Sequence, residues 1–465
     1  MSLRKTKNVP NIIENVSSHN EKTKDPDFVC RESPLTVLFE QSLHIQAIYH
    51  IFVVILLILL CDTVIYDLIE TGKINIGVSS VVYGFGDISR GARLWLFQLA
   101  IVLIFYPGIR LYAAVRKIIK DNTVLCKIWS IVGITGVVLL ELLLIGVPVW
   151  DLAKEHLALG SSTVVTCEMF RFAMKMCSVA VALAERCNNG IKPVPSFSHY
   201  VYFLFAPTLI YKDVYPRTKK VRWGVVVGHL LEVTAIIFYN SFLWERFILP
   251  YWSNYGKEPT VEAGLVVRGM FACILPGVIS FLCGFYLLLH AWHNAFAEML
   301  TFGDRLFYED WWTTSRFSNY YRAWNRVVHA WLRTHIYQPL APRAGRAIST
   351  FIVFFVSSIA HEVILILSFG FFYPVLVVEF GVFGVLMLPL TASGRRFPRL
   401  YNLLMWLVLF IGNGLLWSLY AMEYFARKNC PKLETDNFFV PKSWSCPEVV
   451  LKPNWAFQNP FNIIF

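Results

Sequence analysis

Charge is scarce in this chain. Asp, Glu, Lys and Arg make up 16% of 465 residues, no more than Phe, Trp and Tyr, against 56% hydrophobic residues, and that balance excludes an ordinary soluble globular domain. Residues 1–45 lack the apolar core of a cleavable signal peptide, so the first apolar run has to act as the insertion signal. No internal repeat or long low-complexity tract is visible. There is no GxSxG elbow and no paired serine and acid, which leaves a hydrolase triad without basis. "HAWH", His290 to His293, is a lone histidine box where a membrane di-iron site needs several, so no metal ligands are assigned. The 42 Lys and Arg exceed the 31 Asp and Glu, yet they are scattered between apolar runs, which argues against a nucleic-acid partner.

Long apolar runs are abundant. A helix needs about 20 mainly apolar residues to cross the hydrocarbon core. Runs of that order cover 46–69, 94–114, 128–150, 224–244, 264–292, 347–369, 371–390 and 400–424, with a weaker ninth at 162–184 interrupted by Glu168, Arg171 and Lys175. The fold class expected is an all-α polytopic membrane protein with about nine transmembrane helices. Nine crossings from a cytosolic N-terminus gather "RKIIK", "YKDVYPRTKKVR", the arginines from Arg305 to Arg346, and "SGRRFPR" on one side, the positive-inside pattern. Arg427, Lys428, Lys432, Lys442 and Lys452 in the tail oppose it. The chain divides into a largely disordered cytosolic arm, 1–45, a membrane domain, 46–425, and a luminal tail, 426–465. In the tail, Cys430 and Cys446 bracket a polar loop that an oxidising lumen would allow to close as a disulfide.

Two segments carry candidate chemistry. Read as one helix, residues 318–337 place Tyr321, Asn325 and His329 at i, i+4 and i+8 on one face, with Arg322, Arg326 and Arg333 beside them. Trp311, Trp312, Trp324 and Trp331 would anchor that helix at the membrane boundary. The bland alternative is an amphipathic helix that merely seats the protein among headgroups. His361 stands about a dozen residues inside the apolar run "STFIVFFVSSIAHEVILILSFGFF". A polar group at that depth marks a functional site by default, the alternative being a core histidine bonded across helices. Glu362 need not partner it, because adjacent helical residues point about 100° apart.

"FYEDWW" (Phe307, Tyr308, Asp310, Trp311 and Trp312 within it), "YYRAWNRVVHAW" and "SSIAHE" resemble, in order and spacing, the membrane-bound O-acyltransferase superfamily, in the branch shared by sterol and diacylglycerol acyltransferases. "YFLFAPTLIYKDVYPRTKKVRW" is similar to the signature of the sterol group, and the likeness runs from about residue 35 to 450. Thr313 departs from it, standing where the family hexapeptide continues with Asn. The resemblance implies a nine-helix enclosure around a reaction chamber in the endoplasmic reticulum membrane, with the tail luminal. Acyl-CoA would enter from the cytosol as a substrate, with no cofactor, and the sterol from the bilayer. It implies His361 as catalytic base, Asn325 beside it, and acyl-CoA contacts from Tyr321, Arg322, Trp324, Arg326, His329, Tyr337, Arg346 and Ser357. It also implies a homo-oligomer, a dimer or dimer of dimers, among membrane lipids.

The expected reaction is acyl transfer to a sterol hydroxyl. A basic, aromatic block at 307–346 suits the polyanionic head of a CoA thioester, and the apolar run behind it suits the acyl tail. Diacylglycerol or a long-chain alcohol is the alternative acceptor. A lipid transporter or scaffold using the same polar groups is the alternative of another class.

Overall fold

A computed structural model describes residues 28–74, 78–189, 194–433 and 436–451; most of the arm and the end of the tail lie outside these. The long helices are α1 (Leu43–Thr71), α2 (Ile88–Ile118), α3 (Thr123–Lys154), α4 (Leu159–Asn189), α5 (Trp223–Leu243) and α6 (Ile274–Phe285). After a loop region holding the short helices α7 (Phe317–Trp324) and α8 (Arg326–Leu332) come α9 (Arg346–Phe369), α10 (Gly384–Leu390) and α11 (Pro398–Asn429). Two three-residue strands, β1 (Thr260–Glu262) and β2 (Glu448–Val450), pair in parallel.

Among the described residues, seven helices are long and apolar enough to cross a membrane. The two remaining segments of the expected nine are of a different kind. The segment at 162–184 is the 31-residue helix α4, and it packs against α2, α3 and α9 as an interior element. Its charges turn inward and are paired there. Lys175, 1% exposed, donates to the carbonyls of Phe203 and Ala206 at 2.5 and 2.8 Å. Arg171 and the indole N–H of Trp95 hold the carboxylate of Glu168, at 2.5 and 2.8 Å respectively. An interior helix can be less apolar than a lipid-facing one provided that every polar group is satisfied by protein. The segment at 371–390 becomes a shorter apolar helix, Val377–Leu390, whose first half, Val377–Phe383, is a π-helix.

The chain runs back and forth between two ends. At the arm end, Arg31 lies against the loop before α7, its guanidinium on Asp304 at 2.8 and 3.0 Å and its backbone exchanging hydrogen bonds with Gly303 and Arg305. Glu32 adds ion pairs to Arg222 and Arg305 at 3.2 and 3.3 Å. The arm boundary drawn at residue 45 is therefore too late: from residue 28 onward the chain is docked, continuing into the short helix Pro34–Gln41. Cations crowd this end, with Lys117, Lys120, Arg217, Lys219, Arg322, Arg333, Arg346, Arg395 and Arg399 between or beside its helix termini.

At the tail end, β2 joins the tail to the loop that carries β1, and the backbone N–H of Phe372 reaches the carbonyl of Phe438 at 3.3 Å. Tail and loop 253–262 thus share a side. Cys430 and Cys446 meet there as free thiols, with the Cys430 Sγ 3.1 Å from the carbonyl oxygen of Cys446.

Candidate active site

His361 lies fifteen residues after Arg346 on α9, roughly 22 Å along the helix axis at 1.5 Å per residue. Its side chain is exposed. It does not share the exposed apolar stripe of Ile348, Phe351, Phe355 and Ile359, because at about 100° per residue it projects from another face of the helix. Its Nδ1 lies 2.7 Å from the carbonyl oxygen of Ser357, one helical turn earlier. A carbonyl can only accept, so Nδ1 carries the proton and Nε2 keeps its lone pair. Ser357 contributes to the site through this backbone oxygen.

Glu362 points elsewhere. It is 2% exposed and accepts from the Val377 N–H at 3.0 Å, while its other oxygen is 2.5 Å from the Tyr420 hydroxyl. It thereby fixes the start of the π-helix that brings Phe380 edge-on to His361, ring centroids 5.6 Å apart.

Residues 318–337 do not form one helix. The N–H of Arg326 donates to the Phe307 carbonyl at 2.8 Å, and the N–H of Glu309 donates to the Ala323 carbonyl at 2.8 Å. The "FYEDWW" segment thus takes the N–H that a continuous helix would have used, and the helix breaks at Asn325, whose backbone is extended (φ −138°, ψ 94°). The Asn325 amide oxygen then caps α8 by accepting from the Val328 N–H at 3.0 Å. Tyr321, Asn325 and His329 consequently do not lie on one continuous face, and among the described residues no hydrogen bond joins Asn325 to His361. With its oxygen committed to the cap, the Asn325 side chain offers its NH2.

Tyr321 is joined to the histidine through one ring. Its ring is edge-on to Phe354 at 4.8 Å and lies 5.2 Å from Phe380, so a single ring separates it from His361. Its hydroxyl sits where a Cβ at Gly384 would be, so only glycine allows α10 to approach this closely.

The cationic residues do cluster. Burial, and then Arg326, Arg333 and Arg322 in that order, hold His329 down at about 4, so it is neutral at pH 7 and leaves the positive charge to the arginines. Arg326 is partly compensated by Glu309 at 3.3 Å, whereas Arg322 and Arg346 are exposed. Tyr337 closes the π-helical turn Arg333–Tyr337 that follows α8.

The tryptophans are not all boundary anchors. Trp311 is 1% exposed, and Trp324 stacks on Phe281 at 4.6 Å and meets Trp311 at 4.7 Å. Trp331 donates to the Met174 carbonyl at 2.8 Å. The carbonyl of Trp312 accepts from Asn402 and Trp406 at 3.0 and 3.2 Å. Their aromatic mass fixes the "FYEDWW" turn against α6 and α11. Thr313 caps that turn through Asp310 at 2.8 Å. Asp310 itself lies with Glu309 and Arg322 around a cleft of about 350 Å³.

Sequence reasoning missed the aromatic wall of Phe354 and Phe380, the Glu362–Tyr420 contact and the role of Tyr308. The Tyr308 hydroxyl is 2.7 Å from Nδ1 of His290, inside the "HAWH" box, and Nδ1 of His293 is 2.5 Å from the Leu288 carbonyl. Among the described residues no group of three or more His, Cys, Asp or Glu is gathered as a metal would need.

Comparison with known proteins bears on the same segments. The model of the membrane-bound O-acyltransferase family matches residues 115–422, which include the break at Asn325 and His361. Sterol O-acyltransferase 2 of Mus musculus is 37% identical over 433 residues, covering 90% of this chain and 80% of that protein. Sterol O-acyltransferase 2 of Homo sapiens is 37% identical over 437 residues, 91% and 81% of the two chains. Sterol O-acyltransferase 1 of Mus musculus is 35% identical over 432 residues, 90% and 79%. The chain belongs to the membrane-bound O-acyltransferase family.

Proposed function

We infer that this membrane O-acyltransferase moves a fatty acyl group from acyl-CoA to a sterol hydroxyl, releasing a steryl ester and free CoA. The observation that carries the chemistry is the pairing of Nδ1 of His361 with Ser357, which leaves a neutral base at Nε2 inside an apolar helix. The choice of sterol rests on the sterol O-acyltransferase relatives, which match along nine-tenths of the chain.

Nε2 takes the hydroxyl proton as the sterol oxygen attacks the thioester carbon. The Asn325 NH2 donates to the oxyanion that develops there. The C–S bond then breaks, and the imidazolium returns its proton to the departing thiolate of CoA. A thioester is already activated, so no acyl-enzyme is required. The arginines of the arm end bind the CoA phosphates, to which guanidinium can pair bidentately, while Tyr321 and the Phe354–Phe380 wall border the acyl chain beside His361. In this reading the protein is a homo-oligomer of the endoplasmic reticulum membrane with a cytosolic arm and a luminal tail.

The reading is tested by presenting purified protein and labelled acyl-CoA with a sterol, a diacylglycerol or a long-chain alcohol. Steryl ester should form with equimolar CoA thiol. Ester from another acceptor alone would move the specificity, and no thiol release with any acceptor would leave a transporter or scaffold.

His361→Ala should lower ester formation by about 10²-fold or more, the usual contribution of a positioned base, with unchanged elution from a sizing column. Activity within tenfold of the unsubstituted protein would remove His361 from the mechanism.

Asn325→Asp keeps the capping oxygen and removes the NH2. Its melting temperature should match that of the unsubstituted protein while kcat falls by about 10²-fold, whereas Asn325→Ala should in addition lose about 1 kcal/mol with the cap. Full activity in the Asp variant would make Asn325 a structural cap alone.

Glutamine at Arg322 or Arg346 should raise the KM for acyl-CoA about tenfold, the cost of one charge-assisted hydrogen bond, and leave the KM for sterol alone. Equal effects on both substrates would point to the fold instead.

A luminal tail would allow Cys430 and Cys446 to be joined as a disulfide in the cell, and in this reading they are. Burial first, and then Cys446, push the Cys430 thiol up to about 12, so slow alkylation alone would not distinguish a disulfide from a buried thiol. The mass of the unreduced tail peptide does: the pair should be linked, two intact thiols in protein isolated under non-reducing conditions would remove the disulfide, and labelling of either by an impermeant reagent on the cytosolic face of intact microsomes would reverse the assigned side.

A further inference from the structure

The tail is folded with its polarity inverted. Lys442 is 6% and Ser443 4% exposed, while on either side of them Phe439 is 69% and Trp444 72% exposed. The node is Glu423, fully buried in the last turns of α11. Its carboxylate accepts from the N–H groups of Lys442 and Ser443 at 2.8 and 2.9 Å, from the Ser443 hydroxyl at 2.6 Å and from Arg427 at 2.6 Å. The Lys442 ammonium is drawn onto Asp436 at 2.6 Å. With the polar groups turned in and paired, Phe438, Phe439, Val440 and Trp444 are turned out, where in water they would be an unfavourable surface.

Their depth identifies what covers them. Phe439 lies 5.9 Å from the ring of Phe372, and Trp444 lies 6.4 Å from that of Tyr373. Phe372 and Tyr373 sit in the turn directly after Phe369, the last residue of the membrane-spanning helix α9. The exposed rings are therefore level with the end of a span, where the hydrocarbon gives way to headgroups and where Trp and other aromatic anchors are enriched. Exposed Lys428 and Lys432 leave the neighbouring span α11 at the same end, within reach of lipid phosphates.

We propose that the segment Phe438–Trp444 is seated in the bilayer leaflet at the tail end, with its rings at the boundary of the acyl chains and Lys428 and Lys432 against the phosphates. Lys428 and Lys432, two of the tail cations that oppose the positive-inside pattern, are then headgroup contacts rather than a topology signal. The seat is also tied to α9: Tyr373, under Trp444, gives its carbonyl to the Tyr420 hydroxyl at 2.7 Å, the same hydroxyl that meets Glu362, the residue after His361. Nothing in this proposal depends on the identity of the acyl acceptor.

The test uses the full chain in phosphatidylcholine nanodiscs containing phosphatidylcholine with a diazirine on its acyl chain. After irradiation and digestion, lipid adducts should appear on the peptide holding Phe438–Trp444 and on the α9 peptide holding Ile348–Ile359, which serves as internal reference. The double substitution Phe439→Ser and Trp444→Ser should lower the tail adducts about tenfold or more, since two rings lose their burial, and leave the α9 adducts unchanged. Adducts on α9 with none on the tail would overturn the proposal. In a parallel sample treated with an amine cross-linker, tails of two copies joined through Lys428 or Lys432 while the lipid probe leaves the tail unlabelled would likewise overturn it and assign the patch to a second copy of the chain.

Discussion

The bond from His361 to the carbonyl of Ser357 is the constraint around which the site is organised. A ring N–H at that depth has no water to bond, so protein has to supply the acceptor. The carbonyl one turn back does so at 2.7 Å without disturbing the helix, and the same bond selects the tautomer whose Nε2 is left free on the side of Phe380. What remains is to keep that side open and walled. Glycines do the first: a Cβ at Gly381 would come within 2.8 Å of the Ser358 hydroxyl oxygen, and one at Gly384 would collide with Tyr321. Phe380, carried on the π-helical turn that Glu362 tethers, does the second.

The other half of the site is built at the arm end by long-range backbone pairing. The "FYEDWW" segment breaks a helix at Asn325, and the break both caps α8 and releases an amide NH2. The docked strap from residue 28 to 33 and a buried ionic cluster keep that region in register. Glu298, fully buried, holds Arg222 at 2.8 Å and also pairs with Arg305. Charges buried without partners would be costly, and paired in this way they fix one arrangement of the loops. Arg322 and Arg346 lie outside this cluster and are exposed at the arm end.

How much of this was legible follows from the range of each interaction. His361 stood out because a single polar residue in an apolar run is a local signal, and its acceptor, four residues away, is also local. Asn325 could be picked by its type and by the family resemblance, but its geometry could not. The 3.6-residue period predicts an unbroken helix, and only the distant Phe307 carbonyl diverts it. Likewise the charges of α4 weakened its apparent hydrophobicity because their partners, Phe203, Leu204 and Ala206, belong to another element. Trp311 and Trp324 looked like boundary anchors and proved to be packed inside, since composition reports ring content and not neighbours. The tail gave the least, because inversion of polarity around Glu423 leaves no periodicity to read.

The central claim is that acyl transfer takes place at Nε2 of His361, with the thioester reaching it from the arm end. The most direct measurement is a structure of the protein with a non-hydrolysable acyl-CoA analogue. The account predicts the phosphates among Arg322, Arg326 and Arg346, and the carbonyl carbon of the analogue about 3–4 Å from the position an acceptor hydroxyl would take when bonded to Nε2. A thioester lodged in the cleft of Glu309 and Asp310, with His361 beyond reach, would contradict it.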